Sequence, residues 1–379
     1  MSRGARVPTV LLAAGETSGD LYLAHVARAL RALHPEIRLV GIAGPQGRAA
    51  GVEAWARQED LAVMGFTEVV RHLPRLFRLA DTLERRAQEE GVDLFLPIDY
   101  PGFNVRLGAR LRRHGIRVLD FIPPKTWSWG SWRSKRLRNS VDRCAVIFPF
   151  EVDHYGAFGV DAEFVGHPLV DAHAAALSQP EIPREGLLIA PGSRRQELAR
   201  LMPVLAEGVR RLRDALGEPF EVRVSKAPGV DPQWLDALVS DGARLVEGEL
   251  FTELRRSRFA LVCSGTATVE AALSRTPHVI VYRTGGLSYA IARRLAHVEH
   301  IGMANIVLGR RAFPELLQSD LSASAIAREA ADPFLEGSEA RECQLSACDA
   351  LTTALGEPGC FRRVAELASA LLWDPKAAV

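Results

Sequence analysis

The sequence predicts an α/β protein of two parallel-sheet domains facing one substrate cleft, on three observations. Short apolar runs alternate with segments of helical period, which is the pattern of a parallel sheet with crossover helices. The alternation restarts near mid-chain. Glycine-bearing, anion-friendly turns follow apolar runs in both halves, where a buried strand would end and free helix amides would point outward. The 379 residues exceed what one core ordinarily serves, and a hydrophobic fraction of 47% is ample for two.

In the first half, apolar runs at residues 10–14, 39–43, 94–98, 118–122 and 145–148 predict strands. The first helix follows the turn Gly15-Glu16-Thr17-Ser18-Gly19-Asp20. On it Leu23, Val26, Ala27, Leu30 and Leu33 share one face, Arg28, Arg31 and His34 fall elsewhere, and Pro35 ends it. Further on, Val69, Leu73, Leu76, Phe77, Ala80 and Leu83 keep helical spacing, with Val70 beside them and Arg71, His72, Arg75 and Arg78 flanking. Pro74 predicts a kink or the start of a second helix there. Such a basic amphipathic surface either lies on an anionic bilayer or packs against its own domain.

The second half restarts with runs at 187–190, 220–224, 245–246, 259–262 and 278–281. A hinge is expected in residues 166–183, around Gly166-His167-Pro168-Leu169-Val170-Asp171 and Gln179-Pro180-Glu181-Ile182-Pro183. The expected domains are therefore 1–167 and 168–350. The helical tail, 351–379, either caps the second domain, returns to the first, or meets a partner subunit.

A formal net charge of +1 gives no overall field for nucleic acid, and no nucleic-acid-binding motif occurs. Five cysteines without C-x-x-C spacing read as reduced thiols of a cytosolic protein. The basic start, residues 1–6, precedes an apolar run too short for a signal peptide, and no stretch approaches the ~20 apolar residues that span a bilayer. The expectation is a soluble protein that at most rests on a membrane. No His, Cys and carboxylate cluster has metal-ligand spacing, so no metal is expected. The G-x-S-x-G elbow and the G-x-G-x-x-G nicotinamide fingerprint are both missing.

Candidate chemistry gathers at the turns. Pro191-Gly192-Ser193-Arg194 places a guanidinium where it either forks onto phosphate oxygens or stays solvated. Ser264-Gly265-Thr266-Ala267-Thr268-Val269-Glu270 offers small residues and amides at a helix start, suited to a diphosphate. Glu270, a turn further in, either accepts two ribose hydroxyls or is an ordinary helix carboxylate. Asn305 lies between apolar neighbours and either caps a helix or touches a ligand. Asp99 ends the run 94–98 just before Tyr100-Pro101-Gly102-Phe103-Asn104, the position of a general base or of a helix cap. Glu16 either orients a sugar hydroxyl or fixes its loop. Trp127, Trp129 and Trp132 offer flat faces to sugar or acyl groups, or pack between domains. The cluster Arg133, Lys135, Arg136 and Arg138 beside them either meets an anionic group or is a solvated face.

With these residues in view, the chain resembles the lipid-A-disaccharide synthases, inverting glycosyltransferases of α/β class with two Rossmann-like domains facing an interdomain cleft (GT-B). The resemblance rests on Ala14-Gly15-Glu16-Thr17-Ser18-Gly19-Asp20, Leu61-Ala62-Val63-Met64-Gly65-Phe66, Phe164-Val165-Gly166-His167-Pro168-Leu169-Val170-Asp171, Pro191-Gly192-Ser193-Arg194 and Ser264-Gly265-Thr266-Ala267-Thr268-Val269-Glu270, in that order along nearly the whole chain. It implies transfer of 2,3-diacylglucosamine from its UDP conjugate to 2,3-diacylglucosamine 1-phosphate, giving a β-1,6 disaccharide and UDP, without a metal or other cofactor.

By the same resemblance, Asp99 and Glu16 are the catalytic residues. Gly192, Ser193, Arg194, Ser264, Gly265, Thr266, Thr268, Glu270 and Asn305 hold the nucleotide sugar. Val69, Val70, Leu73, Leu76 and Phe77 meet the membrane or the acyl chains. The implied place is the cytoplasmic face of the inner membrane, peripherally bound, and homodimerisation is a family-level expectation. Two departures fall on the acceptor side: Gly102 stands where a second carboxylate is frequent, and Pro123-Pro124-Lys125 and Gly130 alter the tryptophan loop. The alternatives are a related glycosyltransferase with another glycolipid acceptor, a UDP-sugar 2-epimerase of the same fold, and a non-catalytic binding protein.

Overall fold

The computed structural model describes residues 6–62, 69–286, 294 and 298–373, excepting the side chains of residues 62 and 69–73. The chain forms two compact units, one of residues 1–171 with 357–379 and one of residues 172–356. The expected boundary at 167 thus moves four residues on, to the first turn of the helix Pro168–Leu177.

In the first unit, β1 (Thr9–Ala14), β2 (Arg38–Ala43), β3 (Glu53–Arg57), β4 (Leu94–Ile98), β5 (Arg117–Phe121), β6 (Arg143–Val146) and β7 (Ala162–Phe164) form one sheet in the order β3-β2-β1-β4-β5-β6-β7. Every pairing is parallel. Both faces of the central strands are buried, which is why they read as unbroken apolar runs. One face packs against the helices Val69–Glu89, Pro101–Arg112 and Phe150–Gly156. The helices Thr17–Leu33 and Cys360–Trp373 pack against each other, and the latter also packs on β4 and β5. On Thr17–Leu33 the predicted stripe Leu23, Val26, Ala27 and Leu30 is buried, whereas Leu33 is exposed in the last turn.

Two readings change. The helix Val69–Glu89 continues through Pro74, so no second helix starts there. Its Ala80 and Leu83 enter the core, Leu76 is partly buried against that core, and Phe77 is exposed beneath the Arg106 guanidinium. The side chains of Val69, Val70 and Leu73, and residues 63–66 of the motif beginning at Leu61, lie outside the described residues. The tail divides: residues 351–355 finish the helix Glu339–Leu355 of the second unit, and Cys360–Trp373 belongs to the first. Asp171 fastens that last helix by accepting from the amides of Gly359 at 2.6 Å and Phe361 at 3.2 Å, an N-terminal cap supplied from elsewhere in the chain. Phe361 then packs against Tyr22, His25 and Phe121.

In the second unit, β8 (Leu187–Ala190), β9 (Val222–Ser225), β10 (Arg244–Val246), β11 (Phe259–Cys263), β12 (His278–Tyr282) and β13 (Glu315–Leu317) take the order β10-β9-β8-β11-β12-β13, again all parallel. Helices Arg195–Leu216 and Ala323–Phe334 cover one face, and Leu250–Arg255 with Thr266–Leu273 the other. In each sheet the strand order reverses beside its first strand, between β1 and β4 and between β8 and β11. Ligands of open α/β sheets bind outside the carboxyl ends of the strands at such a switch point.

Candidate functional site

At the first switch point, Gly15-Glu16 leaves β1 and Asp99-Tyr100 leaves β4. Asp99 and Tyr100 are both left-handed, with φ of 52° and 55°, conformations that cost non-glycine residues on the order of 1 to 3 kcal/mol each. The surroundings hold them there. The Asp99 amide donates to Phe121 O at 3.0 Å. Buried Asn104 donates through Nδ2 to Asp99 O at 2.6 Å and to Ala13 O at 3.4 Å, tying the two strand ends together. The Tyr100 ring lies over Gly15, where an added Cβ would stand 2.2 Å from the ring. Gly15 is glycine because another ring occupies its side-chain space.

The Asp99 carboxylate is open to solvent at its surface yet set among protein. Burial raises its pKa, while the Tyr100 amide, donating at 2.8 Å, and the Lys125 charge act in the opposite sense. Buried Asp120 on β5 is raised to about 8 by burial and by the charge of Asp99, so it carries a proton at neutral pH. A carboxylate with raised basicity at a strand end suits general-base work. Glu16 is exposed at the N-cap of Thr17–Leu33, makes no side-chain cap, and lies near enough to Tyr100 to raise the phenol, after burial. Asp20 of the same turn is buried and accepts the amides of Gly44, Gln46 and Gly47 at 2.7 to 3.1 Å; it caps the helix Pro45–Ala49.

Of the three tryptophans, Trp127 is buried with its indole donating to Glu151 at 2.8 Å, and Trp129 and Trp132 are exposed. Gly102 is exposed, and a Cβ there would meet nothing within 4 Å.

At the second switch point, Pro191-Gly192-Ser193 leaves β8. Gly192 has φ of 90°, a conformation open to glycine, and Ser193 is exposed. Arg194 is the N-cap of Arg195–Leu216, its side chain 77% exposed and paired with Glu197 at 3.0 Å. Glu197 is buried and also accepts from the Tyr282 hydroxyl at 3.2 Å, so it aims the guanidinium along the helix start. Ser264, Gly265 and Thr266 leave β11, and Gly265 and Thr266 are exposed at the start of Thr266–Leu273. The first two amides of each helix, of residues 195–196 and 266–267, have no helical carbonyl before them to bond, and the helix dipoles favour an anion there.

Glu270 sits one turn into that helix, 17% exposed, and burial with the charge of Glu249 lifts its carboxyl to about 7. His173 lies beside it with Nε2 3.9 Å from Glu270 Oε2 and Nδ1 3.6 Å from Glu249 Oε1, its ring stacked on Phe251 at 3.8 Å.

Two of the predicted ligand residues have side chains engaged by the protein itself. Thr268 is fully buried, its hydroxyl donating to Gly265 O at 2.9 Å and facing the Ala304 amide at 3.4 Å. Asn305 is fully buried and all its hydrogen-bonding positions are filled: Nδ2 donates to Phe313 O and Glu315, and Oδ1 accepts from the amides of Ala312 and Phe313, at 2.8 to 2.9 Å. Glu315 also accepts from the Ile301 and Gly302 amides, and Ser264 donates to Ile301 O. Asn305, through Glu315, thus braces the loop that Ser264 contacts. Among the described residues no three His, Cys, Asp or Glu side chains group as metal ligands would. Sequence reasoning missed Asn104, Asp120, His173, Glu197 and Glu315, each buried and recognisable only once the strands are adjacent.

Two parallel-sheet units, each with small-residue turns at its switch point, define the class of two-Rossmann-unit (GT-B) proteins. Solved structures of this fold include UDP-bound MnaA of S. aureus (TM-score 0.66, 12% identity, 97% of each chain) and MurG of Acinetobacter baumannii (0.57, 12%, 96% of this chain and 99% of that one). A candidate UDP-N-acetylglucosamine 2-epimerase from Listeria monocytogenes also shares it (0.69, 14%, 98% of each). At those identities the likeness is one of fold alone.

The chain belongs to the lipid-A-disaccharide synthase family: the family model described as lipid-A-disaccharide synthetase matches residues 10–368. Lipid-A-disaccharide synthase of Anaeromyxobacter sp. (strain K) is 40% identical over 94% of this chain and 96% of its own length. That of Acidobacterium capsulatum is 38% identical over 96% of each.

Proposed function

We propose that the protein transfers 2,3-diacylglucosamine from its UDP conjugate to the 6-hydroxyl of 2,3-diacylglucosamine 1-phosphate, forming a β-1,6 disaccharide 1-phosphate and UDP. The observation that carries the reading is the family match along nearly the whole chain. The placement of Asp99 and of the two second-unit turns at switch points supports it.

In this proposal Asp99 takes the proton of the acceptor 6-hydroxyl as that oxygen bonds to the anomeric carbon. The bond from that carbon to the diphosphate oxygen breaks, and UDP leaves with the electron pair. A single displacement inverts the anomeric centre. The first-turn amides after Gly192 and Gly265, with Arg194, stabilise the charge gathering on the diphosphate. Glu270 accepts the ribose hydroxyls, and Glu16 orients a sugar hydroxyl. Thr268 and Asn305 hold those turns in shape. No resident metal or cofactor is required.

The acceptor is a membrane lipid, and no helix among the described residues is long and apolar enough to cross a membrane. The protein would work at the surface of the cytoplasmic membrane, on its inner face, with exposed Phe77 towards the acyl chains. A homodimer is compatible with this arrangement.

A second reading, the same transfer to a different acylated sugar, is favoured by Gly102 beside the base and by Pro123-Pro124-Lys125 in the tryptophan loop. The test is UDP release from UDP-2,3-diacylglucosamine with and without 2,3-diacylglucosamine 1-phosphate, followed by mass spectrometry of the lipids. Acceptor-dependent release with a disaccharide 1-phosphate supports the first reading. UDP binding with no such product directs attention to the second.

A further inference from the structure

The loop after β5 is built to hold two tryptophans outward. Its inner side is anchored by buried Trp127 on Glu151, by the Thr126 hydroxyl on Ser134 at 2.6 Å and on His154 at 2.9 Å, and by the Tyr155 hydroxyl donating to Pro124 O at 2.5 Å. On this rigid base Trp129 and Trp132 are 50% and 57% exposed. Each lies under a guanidinium, Arg133 at 4.6 Å from the Trp129 ring and Arg136 at 5.0 Å from that of Trp132.

The charge of this stretch of sequence is one-sided. Lys125, Arg133, Lys135, Arg136 and Arg138 fall in a stretch, residues 122–141, that contains no carboxylate. Among the described residues none of the five forms an ion pair. Neighbouring arginines differ: Arg112 pairs with Asp142 and Arg143 with Asp161. Alongside, Lys135, Arg138, Asn139 and Phe158 line an open cleft of about 480 Å³. Indole rings prefer the depth of lipid headgroups, and unneutralised Arg and Lys are drawn to anionic lipids.

We propose that Trp129 and Trp132, with Arg133 and Arg136 over their rings and Lys135 and Arg138 in the same stretch, form a docking surface for an anionic bilayer. The proposal rests on the reading of the acceptor as a membrane lipid and says how the chain meets that membrane. The loop leaves the strand next to the one that ends in Asp99, so docking brings the bilayer to the end of the sheet where the acceptor reacts.

The test is sedimentation of the full chain with vesicles of phosphatidylglycerol and phosphatidylethanolamine, against vesicles of phosphatidylcholine alone. Binding to the anionic vesicles only is expected, with tryptophan fluorescence quenched by brominated lipid. Trp129→Ser with Trp132→Ser should weaken binding by about tenfold or more and remove that quenching. Arg133→Gln with Arg136→Gln should weaken it similarly and flatten its salt dependence. Both pairs are surface changes, and unchanged thermal melting verifies the fold. Phe77→Ser should leave the quenching in place. Undiminished binding and quenching in the double tryptophan variant would overturn the proposal. So would equal binding to both vesicle types, or full displacement by millimolar inorganic phosphate, which would make the cations a soluble-anion site. Vesicle binding needs no turnover, so this result and that of the transfer assay fail independently.

Discussion

His173 Nε2 stands 3.9 Å from Glu270 Oε2, buried and without a hydrogen-bond partner, inside the unit that carries the proposed nucleotide turns. The imidazole is held near-parallel to Phe251, with its other nitrogen 3.6 Å from Glu249 Oε1.

Burial and Glu249 raise Glu270 to about 7, so its carboxyl is protonated below that pH and ionised above it. A carboxylate accepts two ribose hydroxyls, whereas the protonated form must use one oxygen as a donor. UDP affinity should therefore fall as pH drops below about 7, by up to about tenfold per unit. Titration calorimetry across pH 5.5 to 8.5 (about one unit or more on either side) reads this. Glu270→Gln should abolish the dependence, and His173→Phe, which keeps the stacking but removes the polar neighbour, should move the midpoint upward. A pH-independent affinity in the unmodified protein would remove Glu270 from the ribose site.

Asp120 binds its proton more tightly in the folded chain, at about 8, than a free aspartate at 3.8, because burial and then Asp99 oppose its ionisation. Between those values the folded state holds a proton that the unfolded chain releases. This group's contribution to stability is therefore fully present below the lower value and lost as pH rises through the upper one. Asp120→Asn should flatten the decline and be more stable than the parent at pH 9 by on the order of a few kcal/mol. Urea unfolding at several pH values measures it, and parallel curves for the two proteins would refute it.

Asn104→Ala removes the amide that holds Asp99 O and leaves that carbonyl and Ala13 O without this donor. The expected loss is about 1 to 3 kcal/mol of stability and a lower kcat with UDP affinity unchanged, since Asn104 belongs to the first unit. Equal kcat would show that the left-handed pair Asp99 and Tyr100 keeps its place without this support.

Two glycines should respond oppositely. Gly15→Ala drives a methyl into the Tyr100 ring and should cost stability and turnover together, whereas Gly102→Asp faces open space and should fold as the parent does. Thermal melting and acceptor-dependent turnover separate them. Equal tolerance at both positions would contradict the ring placement.

Much of this fold was legible because buried parallel strands are continuous apolar runs, as at Val10 to Ala14 and Leu94 to Ile98. The strands not anticipated, Glu53–Arg57, Ala162–Phe164 and Glu315–Leu317, lie at sheet edges, where short and partly polar strands suffice. No second helix starts at Pro74 because a proline forfeits only one helix hydrogen bond, and packing of Ala80 and Leu83, roughly two turns later, holds the helix together. At the sites, turn residues such as Gly15, Gly192 and Asp99 announce themselves by position. Residues that act across the sheet do not: Asn104 and Glu197 read as ordinary helix residues until the strand ends they brace are side by side. Asn305 and Thr268 show the converse, polar residues near a turn that prove fully engaged by the protein.

The most direct test of the account is to measure Asp99→Asn for both UDP affinity and disaccharide formation. The change is isosteric and leaves the second unit untouched. Parent-like UDP affinity is expected, with turnover reduced by about 10² to 10⁴. Turnover near that of the parent would contradict the assignment of Asp99 as the base and with it the placement of the chemistry at the end of β4.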